Sequence, residues 1–221
     1  TPWGQVSVRR IVKGQEPKAL EQYRTRGNMR LENDAPRQDI REALCREQRF
    51  LCAFCQSRLK PDPDHMKIAH VVPQGTTQGA NLGTTWINLV GACMGGEGHP
   101  PKDYHCDKRQ QNTLLPDRLH PVLMQSDAIT FNAKAELLSR SDDSAVNDAI
   151  QNTLGLNIWK LRNLREHTAK ALAYVLQGKS PEAVDDTIER LEDPNASELQ
   201  VCVDYLLFRL KQRKAALQHC V

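Results

Sequence analysis

The sequence has no long apolar run, and this absence argues against a membrane-spanning helix. No stretch approaches the roughly 18 consecutive apolar residues that a bilayer span requires. The first 14 residues, TPWGQVSVRRIVKG, also lack the apolar centre of a secretion signal. We therefore expect a cytoplasmic protein with no membrane partner, in a reducing compartment where disulfides are rare.

Apolar residues are scarce as well, at 39% of the 221 residues, which is low for one compact core. The charge is almost balanced, with a net charge of +3 and a pI near 8.5. This balance fits a nucleic-acid partner and an ordinary solvated surface equally well. We find no internal repeat and no low-complexity tail.

Helical patterns flank a middle segment that has few of them. Pro36 precedes apolar residues at helical spacing, which predicts a helix over residues 35–55. Residues 52–116 are rich in cysteine, glycine and proline, and residues 6–14 suggest one short N-terminal strand. The spacing therefore predicts an α+β protein.

The half that follows residue 120 reads as mostly helical. A strand is expected near the start of residues 127–140, and helical spacing then continues with a break at Gly155. Ser180 and Pro181 have the residue types of a helix start. Residues 197–217 read as a last amphipathic helix.

Four cysteines have a spacing that favours a structural zinc site. Cys52 and Cys55 form a C-x-x-C pair, and Cys93 and Cys106 follow downstream. Two thiolates from such a pair can turn onto one tetrahedral ion, and two more close its coordination shell. The alternative, a redox pair, normally requires a thioredoxin-like βαβ context, which is absent from this sequence.

The second half of this set is unusual, because twelve residues, MGGEGHPPKDYH, separate Cys93 from Cys106. The glycines and prolines of this insert allow it to loop out and return a ligand. It also contains His99 and His105, either of which could replace a cysteine. The remaining cysteines lie in predicted helices, where a small buried apolar residue is the expected role: Cys45, Cys202 and Cys220.

His70 is the candidate general base. A strand through residues 67–69 would present it at the strand end, and Pro73 would stop that strand. The return segment would bring Asn88 close to it. A neutral histidine can take a proton from water, and an asparagine carbonyl that accepts from the other ring nitrogen would hold the required tautomer. A divalent metal nearby would stabilise charge on a scissile phosphate.

Together these motifs resemble an HNH nuclease of the ββα-metal type with zinc-knuckle cysteines. The motifs are Cys52-x-x-Cys55, His70-Val-Val-Pro73, Trp86-Ile-Asn88-Leu89, Cys93 and His105-Cys106-Asp107. More narrowly, the segments EPKALEQYR, HVVPQ, WINLVGACMGGEGHPPKDYHCDKRQQN and LGLNIWKLRNLRE resemble the PtuB family of Septu and Septu-type retron anti-phage systems. The resemblance is densest over residues 50–116 and looser towards the C-terminal end.

The resemblance implies a small ββα-metal module with the four-cysteine zinc site. We place this module at residues 37–118, after an N-terminal docking segment, 1–36, and before a helical C-terminal region, 119–221.

The resemblance also implies roles for individual residues. His70 would be the general base, Asn88 would orient it, and Asp107 would bind a catalytic Mg²⁺ or Mn²⁺. The family usually has a metal-binding acid just before the base, where this chain has Ala69. His65, His105 or water would then have to supply the missing ligand.

The function implied is that of an endonuclease effector in an anti-phage complex with a PtuA-type ABC or SMC-like ATPase. Retron versions add a reverse transcriptase and its RNA-linked DNA. DNA is the default substrate, and tRNA is an alternative.

Two non-catalytic interpretations compete with the nuclease. A zinc-stabilised adaptor is permitted by Ala69. A zinc-finger-like DNA reader is disfavoured, because the insert between Cys93 and Cys106 is too rich in glycine and proline to form a recognition helix.

Overall fold

A computed structural model describes residues 9–123 and 128–218 of the chain. It is a mixed α+β structure with two small antiparallel sheets, and its described residues form seven α-helices. Among these described helices, none is long and apolar enough to cross a bilayer.

The first half contains three helices and one hairpin. The elements are α1 (Lys18–Thr25), α2 (Arg37–Glu47), β1 (Lys67–His70), β2 (Leu89–Ala92) and α3 (Cys106–Gln110). The second half has a further hairpin and four helices: β3 (Ile129–Phe131), β4 (Leu137–Ser139), α4 (Ser144–Asp148), α5 (Trp159–Val175), α6 (Pro181–Glu192) and α7 (Val203–Gln218).

The helix predicted over residues 35–55 starts where expected but ends early. α2 begins directly after Pro36 and buries Ile40 on its inner face. It ends at Glu47, because Arg49 and Phe50 both adopt positive φ angles, 50° and 62°, which reverse the chain. Cys52 and Cys55 therefore lie in a turn rather than on a helix.

The hairpin predicted around His70 is confirmed. β1 pairs antiparallel with β2, so that Lys67 lies opposite Ala92 and His70 opposite Leu89. α2 packs against both strands, and α3 follows them in the sequence after the long insert.

The helical second half is also confirmed. Gly155 has φ +58° and separates α4, with the π-helical turn that follows it, from α5. Pro181 is the first residue of α6, as its residue type predicts. Cys202 is the exception: it was predicted to be helical but precedes α7, with φ 55°.

The short strand predicted near the N-terminus is wrong over the described residues 9–14, and residues 6–8 lie outside the described part. The backbone N–H of Arg9 donates to the carboxylate of Asp204, and that of Gly14 donates to Glu47. The segment thus bonds these side chains and the Pro121 carbonyl, which accepts from the Ile11 N–H at 2.8 Å, and it does not pair with a strand.

One hydrophobic core includes residues from all three predicted segments. Leu20 of α1, Val90 of β2 and Tyr205 of α7 belong to the same buried cluster. A second cluster lies between α6 and α7. Residues 9–14, which we call the N-terminal strap, cross this core from Asp204 to Trp86, where the Lys13 ammonium lies 3.7 Å from the ring centroid.

Candidate metal centre and active site

The four predicted zinc ligands come together in one cluster. The sulfur atoms of Cys52, Cys55, Cys93 and Cys106 all lie within 4.8 Å of one another. The Sγ–Sγ distance is 3.9 Å between Cys52 and Cys106 and 3.7 Å between Cys55 and Cys93. Tetrahedral bonds of about 2.3 Å to zinc require sulfur atoms about 3.8 Å apart, so the spacing fits that ion.

Three separate elements deliver these sulfurs. Cys52 and Cys55 lie in the turn after α2, Cys93 directly follows β2, and Cys106 begins α3. The backbone N–H of Cys93 donates to the Cys52 sulfur at 3.3 Å, which favours a thiolate there. The expected return of the insert is observed, since a Cβ on Gly96 would lie 2.5 Å from the Asp103 carbonyl oxygen.

Burial makes the cluster a closed site. Cys106 is fully buried, and only Cys93 is partly exposed. Burial raises the pKa of the Cys52 and Cys106 thiols, whereas hydrogen bonds with Cys106 lower the pKa of Cys55 and Cys93. Four thiolates in so small a volume require a cation, so the donor set suits a structural metal ion.

Neither histidine of the insert takes the place of a cysteine. Within the described ranges 9–123 and 128–218, the group that can hold a metal consists of cysteines alone. His105 is buried, and its Nδ1 lies 2.9 Å from the Asp103 carbonyl oxygen.

His70 is half-buried at the end of β1, and its ring is fixed by a backbone carbonyl. Nε2 lies 2.9 Å from the oxygen of Gly83, which can accept its proton. That bond selects the tautomer in which Nδ1 carries the free lone pair. The Gln74 amide nitrogen lies 2.6 Å from the same Nε2, and a rotated amide would place its oxygen there as a second acceptor.

The electrostatic environment keeps His70 neutral. Burial lowers its pKa below 6.5, the Gly83 carbonyl opposes this, and the positive charge of Arg37 lowers the pKa further. A neutral ring with Nδ1 unprotonated is the form in which histidine acts as a general base.

Asn88 lies next to this arrangement without the predicted contact to the histidine. Its Oδ1 accepts from the Val72 N–H at 2.8 Å, and its Nδ2 donates to the carbonyls of Val72 and Leu82. The expected bond from the His70 ring to Asn88 is therefore wrong, since Gly83 provides that acceptor. Asn88 instead ties both ends of the loop that carries Gly83.

Asp107 is half-buried on α3, and burial raises the pKa of its carboxyl group while Lys67 opposes the rise. Lys67 starts β1, and His70 ends it. Among the residues that the structure describes, Asp107, His105 and His70 do not form a group of three potential ligands. The assignment of Asp107 and His105 to a catalytic ion therefore stays a prediction.

Ala69 stands at the position where the resemblance implies an acid that binds the catalytic ion. Its side chain is 1% exposed and lies in the core beneath the hairpin. A carboxylate in the same place would be charged inside that core unless its side chain turned outward. Burial therefore disfavours an acid immediately before His70.

Sequence reasoning missed the groups that hold His70. A backbone carbonyl such as that of Gly83 leaves no mark in the sequence. Gln74 does have a signal, since it lies four residues after His70 in the segment HVVPQ.

Comparison with known proteins supports a distant relationship to HNH nucleases. The "Retron Ec83 putative HNH endonuclease" of Escherichia coli is 30% identical over 60 residues, which is 26% of this chain and 23% of that protein. No protein-family profile matches the chain. The match thus spans less than a quarter of the relative and suggests a nuclease of the HNH type.

Proposed function

We propose that this protein is a metal-dependent endonuclease in which His70 is the general base. The observation that carries the proposal is the position of the His70 ring at the end of β1, where its Nε2 lies 2.9 Å from the Gly83 carbonyl oxygen. It is supported by the four-sulfur cluster beside the same hairpin and by the similarity to a retron HNH endonuclease.

The proposed reaction uses His70 as follows. Nδ1 of His70 accepts a proton from water, and the water oxygen forms a bond to phosphorus. The bond between phosphorus and the leaving sugar oxygen breaks, and that oxygen takes a proton from solvent. Asn88 acts as a positioning residue, because it ties down the loop that carries Gly83.

Two metal sites belong to the proposal. Cys52, Cys55, Cys93 and Cys106 would hold a structural zinc at the base of the hairpin. Asp107 would be the protein ligand of a catalytic Mg²⁺ or Mn²⁺. Such an ion supplies charge stabilisation at the scissile phosphate.

We further propose that the nuclease belongs to an anti-phage defence complex of the PtuB type. Its partners would be a PtuA-type ATPase and, in a retron version, a reverse transcriptase with RNA-linked DNA. The sequence motifs described above and the retron name of the similar protein support this assignment. DNA is the first substrate to test, followed by tRNA.

The test is cleavage of plasmid DNA and total tRNA with Mg²⁺ or Mn²⁺, with and without the ATPase. His70→Ala should abolish cleavage, while His167→Ala should leave it unchanged. His167 is a matched control, because its side chain is exposed on α5 and has no role in the proposed site. Cleavage that persists in His70→Ala would refute the proposal.

A non-catalytic adaptor is the second candidate, and Ala69 favours it. The chain has a buried alanine where the resemblance implies a metal-binding acid. An adaptor carrying His70→Ala would still protect cells against phage, whereas a nuclease with the same substitution would not.

A further inference from the structure

Helix α2 has two arginines one turn apart, Arg37 and Arg41, on the side of the helix that approaches β1. The helix packs against the β1–β2 sheet. Both arginines are half-buried rather than fully solvated. We call them the α2 arginine pair.

The α2 arginine pair has no acidic partner in residues 9–123 and 128–218. No carboxylate of those residues lies within 4.0 Å of either guanidinium group. Arg37 donates to the backbone carbonyl of Leu31 at 2.5 Å and to that of Glu32 at 3.3 Å, which fixes its position without neutralising its charge. The Nε of Arg41 is buried and has no hydrogen-bond partner.

The Asp62 carboxylate, which acts on Arg41, already has other hydrogen-bond partners. Asp62 favours the charged form of Arg41, but burial and the charge of Arg37 together lower the pKa of Arg41. The Asp62 carboxylate lies 2.6 Å from the His65 ring and accepts the backbone N–H groups of Asp64 and His65. Two cations one turn apart repel each other, so the arrangement calls for an external anion.

Arg37 lies close enough to His70 to influence its ring. α2 packs against β1, and the positive charge of Arg37 lowers the pKa of His70 at the end of that strand. Arg41 follows Arg37 by one helical turn.

We infer that the α2 arginine pair binds a backbone phosphate of the nucleic acid, adjacent to the phosphodiester that faces His70. This inference rests on the proposed function and names residues that position its substrate. Guanidinium groups bind phosphate oxygens through paired N–H donors, and such contacts hold a strand without reading its sequence. Arg41 is the principal ligand, because its guanidinium group has no hydrogen-bond partner within residues 9–123 and 128–218.

The test measures binding of labelled duplex DNA and of tRNA to the His70→Ala protein across a range of salt concentrations. Each phosphate contact contributes about 1 to the slope of log K against log salt concentration. Adding Arg41→Gln should lower the magnitude of that slope by about 1 and weaken binding several-fold. Arg41→Lys should keep the slope, because the charge remains.

Arg46→Gln is the matched control on the same helix. Its side chain is 68% exposed and pairs with Glu42 at 3.7 Å. It should leave the slope unchanged. In thermal unfolding, Arg41→Gln should not lower Tm, because it removes an uncompensated charge; a purely structural arginine would lower Tm.

The outcomes separate the two proposals. Binding by the His70→Ala protein with an unchanged slope in Arg41→Gln would overturn the α2 arginine pair while leaving the nuclease intact. If the protein bound neither DNA nor tRNA, both the nuclease proposal and the α2 arginine pair would lack a substrate and would be overturned. A lower slope together with an unchanged Tm supports the inference.

Discussion

Removal of the ion from the four-cysteine cluster should unfold the region around the hairpin. The perturbation is Cys106→Ser, which replaces a fully buried thiolate that begins α3. Structural zinc sites in small modules contribute about 10–16 kcal/mol of apparent binding free energy. Whole domains are stable by only about 5–15 kcal/mol. The free energy lost with the ion therefore exceeds the stability that packing around the turn, β2 and α3 can supply.

The assay combines metal analysis with unfolding monitored by circular dichroism. The wild type should contain one zinc per chain, and Cys106→Ser should contain far less and lose its cooperative transition. Cys45→Ala is the matched control, because that sulfur is also fully buried but lies in α2 outside the cluster. This variant should keep its zinc. Its free energy of unfolding should fall by about 1–2 kcal/mol, which corresponds to a fall in Tm of about 2–8 °C.

Two results would refute this reasoning. One is a wild-type protein that contains no zinc and remains stable in a strong chelator. The other is Cys106→Ser with wild-type zinc content and Tm. Either result would mean that the sulfurs, despite separations of 3.7 and 3.9 Å, are held by packing alone.

Three further perturbations test other parts of the structure. The acid limb of the pH–rate profile should lie below pH 6.5, because burial lowers the pKa of His70 and the base stays unprotonated to lower pH; a limb above 6.5 contradicts this. Arg9→Ala should lower the free energy of unfolding by about 2–4 kcal/mol at pH 7, since it leaves the fully buried Asp204 without its cation. Burial already raises the pKa of Asp204, so the carboxyl group protonates more readily in the variant, and urea unfolding should show a smaller loss at pH 4 than at pH 7. Gly79→Ala should lower both kcat and the free energy of unfolding, the latter by about 1–3 kcal/mol. The new Cβ would lie 2.1 Å from the Pro73 carbonyl oxygen, in the loop that positions His70. Unchanged kinetics would show that the loop adapts.

The parts of the fold that the sequence predicted depend on local chemistry. Cys52, Cys55, Cys93 and Cys106 are recognisable because a C-x-x-C pair followed by two further cysteines is typical of a four-sulfur zinc site. The break at Gly155 is recognisable because a residue with φ +58° favours glycine. The hairpin around His70 follows from a short β-branched segment that ends at Pro73.

The parts that were missed depend on contacts distant in sequence. α2 ends at Glu47 through positive φ angles at Arg49 and Phe50, two residue types that give no turn signal. The N-terminal strap has a strand-like pattern, but its partners are the side chains of Glu47 and Asp204 and the carbonyl of Pro121, all distant in sequence. The Gly83 carbonyl reaches His70 across 13 residues, and backbone atoms are the same in every residue.

The N-terminal strap has a consequence for the order in which the protein matures. Arg9 is anchored to Asp204, 195 residues later in the chain, while Lys13 of the same strap donates to the Leu89 carbonyl at 3.0 Å. Closing so long a loop is entropically costly and slow. A nascent chain has no anchor for Arg9 until Asp204 has been synthesised. The contact between the strap and Asp204 therefore forms only after Asp204 has been synthesised, later in synthesis than the β1–β2 hairpin that carries His70.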